Sequence, residues 1–217
     1  MIKENIIIAI DGPAGAGKST VAKLIAKRLD IEYIDSGAFY RAITKNILDS
    51  KIKIDDYKQI EELLYKIDLK LDSGRIFINN SDYTDFLRTK EVSLLVSPVS
   101  GIISVRKKVN KSLNEYSKGK SIIMDGRDIG TVVFPDADYK FYLDASIEVR
   151  ALRRFNEKTM DLNLNETKDS MIKRDENDKN KEFGALKIAD DAIYIDTTDF
   201  SIEEVVEKIL DRINNGE

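Results

Sequence analysis

The chain has 217 residues, 42% of them hydrophobic and 34% charged, with a formal net charge of -4. That length supports one domain with an insertion and a sizeable core, and the acidic balance argues against a nucleic-acid binder. Cysteine and histidine are both absent, which excludes disulfides, thiolate or imidazole metal sites, cysteine nucleophiles and any Ser-His triad.

Residues 5–10, NIIIAI, form an unbroken β-branched apolar run, the pattern of a strand buried on both faces. The run is too short to span a membrane and no small-residue cleavage site follows it, so the cytoplasm is the expected location. Next comes GPAGAGKS (12–19), a match to G-x-x-x-x-G-K-[ST], and then KSTVAKLIAKRL, whose Val21, Leu24, Ile25 and Leu29 share one helical face. Between a buried strand and a helix, that spacing predicts a phosphate cradle. Gly12, Gly15 and Gly17 let successive amides turn inward, Lys18 bridges β- and γ-phosphates, and Ser19 offers its hydroxyl to Mg²⁺. Gly12, Pro13, Ala14, Gly15, Ala16, Gly17, Lys18, Ser19 and Thr20 are therefore the expected ATP-binding residues.

A second strand leads into DSGAFYRA (35–42), where Ser36 is placed to cap the following helix. Arg41 falls one and a half turns into that helix, within reach of a bound phosphate. The stretch IDLKLDSGRIFIN (67–79) alternates apolar and polar residues on either side of Ser73-Gly74, the pattern of a hairpin. A hairpin does not belong to a parallel core, so residues of about 50–95 are read as an inserted lobe with its own small sheet. In SIIMDGRDIGTVVFPDAD (121–138), an apolar strand stops at Asp125, and Arg127 and Asp128 follow between Gly126 and Gly130. Asp125 is open to two readings, contact with magnesium through water or a purely structural role.

YKFYLD (139–144) and AIYID (192–196) read as further strands. SIEVRALRRFNEK (146–158) and SIEEVVEKILDRINN (201–215) read as helices, the second opened by the capping box Ser201-x-x-Glu204. Strands alternating with such helices predict an α/β parallel sheet wrapped by helices. Arg150, Arg153 and Arg154 span little more than one turn, and beside a phosphate loop such cations suit a transferring phosphoryl group. The densely charged segment 156–187 is read as a helical arm that moves. Neither an N/T-K-x-D base reader nor a D-x-x-G switch turn occurs, which argues against a guanine-nucleotide switch.

Taken in order, GPAGAGKS, DSGAFYR, TKEVSLLVSPVS…VR, DGRDIGTVVFPDAD, LDAS…R..RR, RDENDKNK and DAIYIDTT resemble the motifs of bacterial cytidylate (CMP) kinases over nearly the whole chain. The resemblance implies an adenylate-kinase-like P-loop fold: a five-stranded parallel sheet flanked by helices, with an acceptor-binding insert and a mobile lid. The expected organisation is one domain over 1–217, with its core at about 1–49 and 96–217, the insert at about 50–95 and the lid at about 156–187. The implied reaction passes phosphate from ATP, with Mg²⁺, to CMP or dCMP. With no apolar interface stripe left over, a monomer is the default expectation, and neither a nucleic-acid nor a membrane partner is expected.

Carried over residue by residue, the resemblance places Ser36, Tyr40, Arg41, Ser97, Arg106, Arg127, Asp128, Arg174, Asp178 and Lys181 at the acceptor. Lys18, Arg127, Arg150 and Arg154 become the expected catalytic cations. Asp128 with Ser97 would accept from the cytosine amine and Arg106 would donate to the ring acceptors. Arg41 and Arg127 would hold the monophosphate, Asp178 would accept from a ribose hydroxyl, and Tyr40 would pack near the base. Lys181 departs from the family pattern R-D-x-x-D-x-x-R, which ends in arginine. A lysine keeps the charge and loses the planar fork, which implies a looser grip on phosphate. The rival readings are a P-loop kinase with another acceptor and a nucleotide-binding module without turnover.

Overall fold

A computed structural model describes residues 4–157 and 162–215. Its elements in chain order are β1 (Ile7–Asp11), α1 (Lys18–Leu29), β2 (Glu32–Asp35), α2 (Ser36–Asp49), α3 (Tyr57–Lys66), β3 (Leu69–Asp72), β4 (Arg75–Ile78) and β5 (Ser81–Asp82). There follow α4 (Lys90–Val99), α5 (Ile103–Ser117), β6 (Ile122–Asp125), β7 (Tyr139–Asp144), α6 (Ile147–Asn156), α7 (Leu164–Lys179), β8 (Ile193–Asp196) and α8 (Ile202–Asn215). Two compact bodies divide them. Among the described residues the first comprises 4–35, 119–157, 162–180 and 184–215; the second comprises 36–118 and 181–183.

The first body is built on a parallel five-stranded sheet in the order β2-β6-β1-β7-β8. Its central strand is the apolar run expected at the start of the chain, with Ile8, Ala9 and Ile10 inaccessible to solvent. Val21 and Ile25 of α1 and Val205, Val206, Ile209 and Ile213 of α8 pack with Ile8, Ile10, Ile123 and Leu143 into one core. Leu24 and Leu29, expected on the inner face of α1, pack at its edge and are partly buried. Ser201 and Glu204 form the expected reciprocal cap: the Glu204 amide donates to Ser201 Oγ (3.3 Å) and the Ser201 amide to Glu204 Oε2 (2.8 Å). Within the segment read as a moving arm, α7 opens on a second capping box, Asn163 with Glu166. Residues 158–161 of that arm lie outside the described residues.

The second body holds the expected hairpin. Ser73 and Gly74 adopt φ of 49° and 76°, as a two-residue turn between right-twisted strands requires, and Asp72 pairs with Arg75 across it. A third strand, β5, completes a small antiparallel sheet, β3-β4-β5. The body extends beyond residues 50–95 to include α2, α4 and α5.

Candidate active site

The turn after β1 has the shape its glycines predict. Gly12, Gly15 and Gly17 have φ of 146°, 76° and 85°. A Cβ on Gly12 would lie 1.9 Å from the carbonyl oxygen of Leu143, and one on Gly15 2.8 Å from Met171 Cε and 2.9 Å from the Arg150 carbonyl oxygen. Only glycine fits where another backbone comes so close. The turn delivers Lys18 and Ser19 to the first turn of α1, where unpaired amides and the helix dipole favour an anion.

Lys18 is buried and its Nζ donates to the Pro13 carbonyl at 2.6 Å. Burial pulls its pKa down to about 7; the positive charges of Arg127 and Arg174 press the same way, against the pull of Asp125 and Asp11. A cation held that far below its ordinary value is one that incoming phosphate charge would stabilise. Ser19 Oγ donates to Asp125 Oδ2 (2.8 Å), and Tyr33 on β2 donates through its hydroxyl to Asp125 Oδ1 (2.7 Å). Burial, then the Asp35 charge, raise the Asp125 pKa. A hydroxyl and a carboxylate, both hard oxygen donors, fit Mg²⁺ arriving with substrate phosphates. Among the described residues no group of three or more carboxylates could hold an ion alone.

The loop after β6 is fixed by Asp11, a residue that no sequence motif marks. Its carboxylate accepts the amides of Ile129 and Gly130, both at 2.8 Å. With those amides held, Ile129–Val133 winds into a π-helical turn, a rare form found frequently at functional sites. The stem of Lys140 packs beneath Gly130, and its ammonium grips the Pro135 carbonyl and Asp191. Asp128 is thereby buried and Arg127 is aimed: Arg127 Nε donates to Asp178 Oδ2 (2.9 Å) and its Nη1 to the Gly126 carbonyl (3.1 Å). Burial opposes the Arg127 charge, but Asp178 outweighs it and the guanidinium is held above its ordinary value.

Burial pushes the Asp11 carboxyl up to about 7, against the lowering effect of the two amides. A raised folded pKa gives a stability contribution fully present below about 4 and lost as pH rises through about 7. Thermal melts of the parent and Asp11→Asn should therefore show the parent's advantage narrowing between about pH 4 and 7 and levelling off above that. A constant difference would place the Asp11 titration elsewhere.

Arg150 and Asp175 bracket the tip of the phosphate loop. Arg150 Nη1 donates to the Ala14 carbonyl (3.0 Å) and to Asp175 Oδ2 (2.6 Å), and the Ala14 amide donates to Asp175 Oδ1 (3.3 Å). Asp175 was not among the expected residues, although it follows Arg174 directly. Arg154 pairs with Glu157 at the end of α6, and Arg153 donates to Thr197. Arg174 and Asp178 lie on α7, Asp178 almost wholly buried.

The second body gathers a separate set. Arg106 is 1% exposed, donates through Nη1 to the Ser100 carbonyl (2.9 Å) and lies 5.3 Å from the ring centre of Tyr40. Ser97 is on α4, and its buried Oγ has no hydrogen-bond partner among the described residues. Lys181 Nζ donates to Ser100 Oγ at 2.9 Å. Ser36 begins α2 and is buried, and Arg41 lies on the same helix, half-buried.

A glycine-rich phosphate loop at the carboxyl edge of a parallel sheet, with lysine, a magnesium-suited hydroxyl and several guanidinium groups around it, defines a P-loop phosphotransferase. Solved structures agree on the fold: shikimate kinase from Acinetobacter baumannii superposes with a TM-score of 0.51 over 98% of this chain and 94% of that one, at 16% identity. The family model for cytidylate kinase matches residues 8–215. Curated cytidylate kinases from Caldanaerobacter subterraneus subsp. tengcongensis and Caldicellulosiruptor bescii are 46% and 47% identical. The first alignment covers 100% of this chain and 98% of the relative, the second 96% and 95%. The chain belongs to the cytidylate kinase family and is a nucleoside monophosphate kinase. No helix among the described residues is long and apolar enough to cross a membrane.

Proposed function

We propose that the chain transfers the γ-phosphoryl group of ATP to CMP and dCMP. The observation that carries this reading is the loop Gly126-Arg127-Asp128, set on the strand beside the phosphate loop and pinned by Asp11 from the phosphate-loop strand itself. ATP would lie along residues 12–20 with Lys18 between its β- and γ-phosphates. Mg²⁺ would be held by Ser19, with Asp125 reaching it through water, and would neutralise the charge shared by those phosphates. Arg127, Arg150 and Arg154 would supply the remaining positive charge.

The acceptor phosphate is already an anion, so no general base is needed. The work is alignment, neutralisation and exclusion of water. Arg127 and Arg41 would bind the acceptor phosphate, Asp178 would accept from a ribose hydroxyl, and Arg174 and Ser36 would complete the acceptor set. Asp128 with Ser97 would accept from the cytosine amine, and Arg106 would donate to the ring acceptors. Uracil presents a carbonyl where cytosine has its amine, which would set lone pairs against Asp128. Closure of the 156–187 segment would keep water from the γ-phosphate.

Rates of ADP formation should be compared with CMP, dCMP, UMP, AMP and no acceptor at matched concentrations. CMP and dCMP should be turned over at least about a hundredfold more efficiently than UMP or AMP. Equal rates across the monophosphates, or hydrolysis without acceptor as fast as transfer, would overturn the proposal.

A further inference from the structure

The position where this chain departs from the family motif does something in the second body that its charge alone does not predict. Lys181 directs its ammonium to a serine hydroxyl: Nζ lies 2.9 Å from Ser100 Oγ. That hydroxyl donates in turn to the Ser97 carbonyl (2.8 Å), and the Ser100 carbonyl accepts from Arg106 Nη1 (2.9 Å). Ser100 is the C-cap of α4, its amide bonded to the Val96 carbonyl at 2.9 Å. One turn-forming residue is thus tied to Lys181, Ser97 and Arg106 together.

The chemistry of the contact is directional. A serine hydroxyl carries one proton and rotates to suit its partners. An ammonium has only donors, so when it meets Ser100 Oγ it takes a lone pair and turns the hydroxyl proton toward the Ser97 carbonyl. That carbonyl lies in the last turn of α4, where backbone acceptors lack partners within the helix. Two cations, Lys181 and Arg106, also sit at the helix end whose dipole favours positive charge. With Ser97 so anchored through its backbone, its buried Oγ is carried on a fixed turn, and Arg106 is held between the Ser100 carbonyl and the Tyr40 ring.

We infer that Lys181 is a positioning residue for base discrimination, acting through Ser100 on Ser97 and Arg106, rather than a direct ligand of the acceptor phosphate. The inference rests on the proposed reading of cytosine by Ser97 and Arg106. It also gives the lysine a physical sense: a compact ammonium suits a single hydroxyl oxygen, whereas a planar fork suits phosphate.

The test uses the full chain and its variants Lys181→Met, Lys181→Arg, Ser100→Ala and the double variant Lys181→Met with Ser100→Ala. KM and kcat are measured with CMP and with UMP, and the Kd for ATP is measured separately. Lys181→Met and Ser100→Ala should each lower the CMP-to-UMP ratio of kcat/KM by about tenfold, mostly through KM for CMP. The double variant should fall no further than either single one, because both break the same chain of contacts. Lys181→Arg, which can still donate to Ser100, should keep most of the discrimination, and ATP affinity should not move. An equal rise in KM for CMP and UMP in Lys181→Met would show a direct phosphate ligand and overturn the inference while leaving the proposed function intact. A parent chain with no preference for CMP would overturn both.

Discussion

Replacing Gly12 with alanine is expected to lower stability by about 3–5 kcal/mol and to abolish ATP binding. The new Cβ would lie 1.9 Å from the Leu143 carbonyl oxygen and 3.0 Å from its carbonyl carbon. Neither atom can retreat, because Leu143 is fully buried in β7 and that strand is paired on both sides. The backbone at Gly12, with φ of 146°, is also one that alanine rarely adopts. Relief would require β1 and β7 to separate or the phosphate loop to lift, and either removes the cradle. Gly119 provides the internal control. Its φ is 70° and a Cβ there meets nothing within 4 Å, so Gly119→Ala should cost only about 1–2 kcal/mol of backbone strain. Urea unfolding midpoints of both variants check the difference; equal losses would show that close approach to Leu143 does not govern Gly12.

The ends of the five parallel strands show how far residue types alone carry a reading. Each strand closes on an aspartate: Asp11, Asp35, Asp125, Asp144 and Asp196. A carboxylate at the carboxyl edge of such a sheet faces the region where ligands bind, yet the roles differ. Asp11 takes two loop amides, Asp125 takes two hydroxyls, Asp144 accepts the amide of Ala145, and Asp196 accepts that of Thr198. The phosphate loop was legible because its spacing encodes a local backbone shape. Asp11 was not, because its partners lie 118 and 119 residues away and no local pattern announces them.

The same limit applies to other elements. Val132, Val133 and Phe134 have strand-forming side chains, but the amides of Ile129 and Gly130 are claimed by Asp11 and the segment winds into a π-helical turn. Tertiary context outweighs β propensity there. β5 has two polar residues and no period to detect. The start of the second body was hidden for another reason: β2 ends at Asp35 and α2 begins at Ser36, so no loop or change of composition marks the boundary. Asp175 shared a motif with Arg174 and Asp178, but its contact with the Ala14 amide needs α7 packed beside the phosphate loop. That packing follows from tertiary structure alone.

Asp128→Ala is expected to reduce kcat/KM for CMP by roughly a hundredfold or more while leaving the Kd for ATP within about twofold. The expectation follows from where Asp128 stands. It is 3% exposed, and its carbonyl accepts the amides of Val132 and Val133 at 2.9 and 3.2 Å, so the residue opens a turn that Asp11 already fixes. Shortening its side chain removes the proposed base-reading acceptor and keeps the turn. Asp128→Asn separates recognition from simple damage. The amide oxygen can still accept from the cytosine amine, and the amide nitrogen can donate to the uracil carbonyl that a carboxylate would repel. A neutral oxygen accepts more weakly than a carboxylate, so the asparagine variant should lose part of its CMP activity and gain UMP activity, narrowing the ratio from both sides. A fold merely weakened at this position would lower both activities together and would lower ATP affinity with them. Parallel losses of that kind, measured by initial rates and by calorimetric titration of ATP, would remove Asp128 from base recognition and return it to the scaffold of the loop.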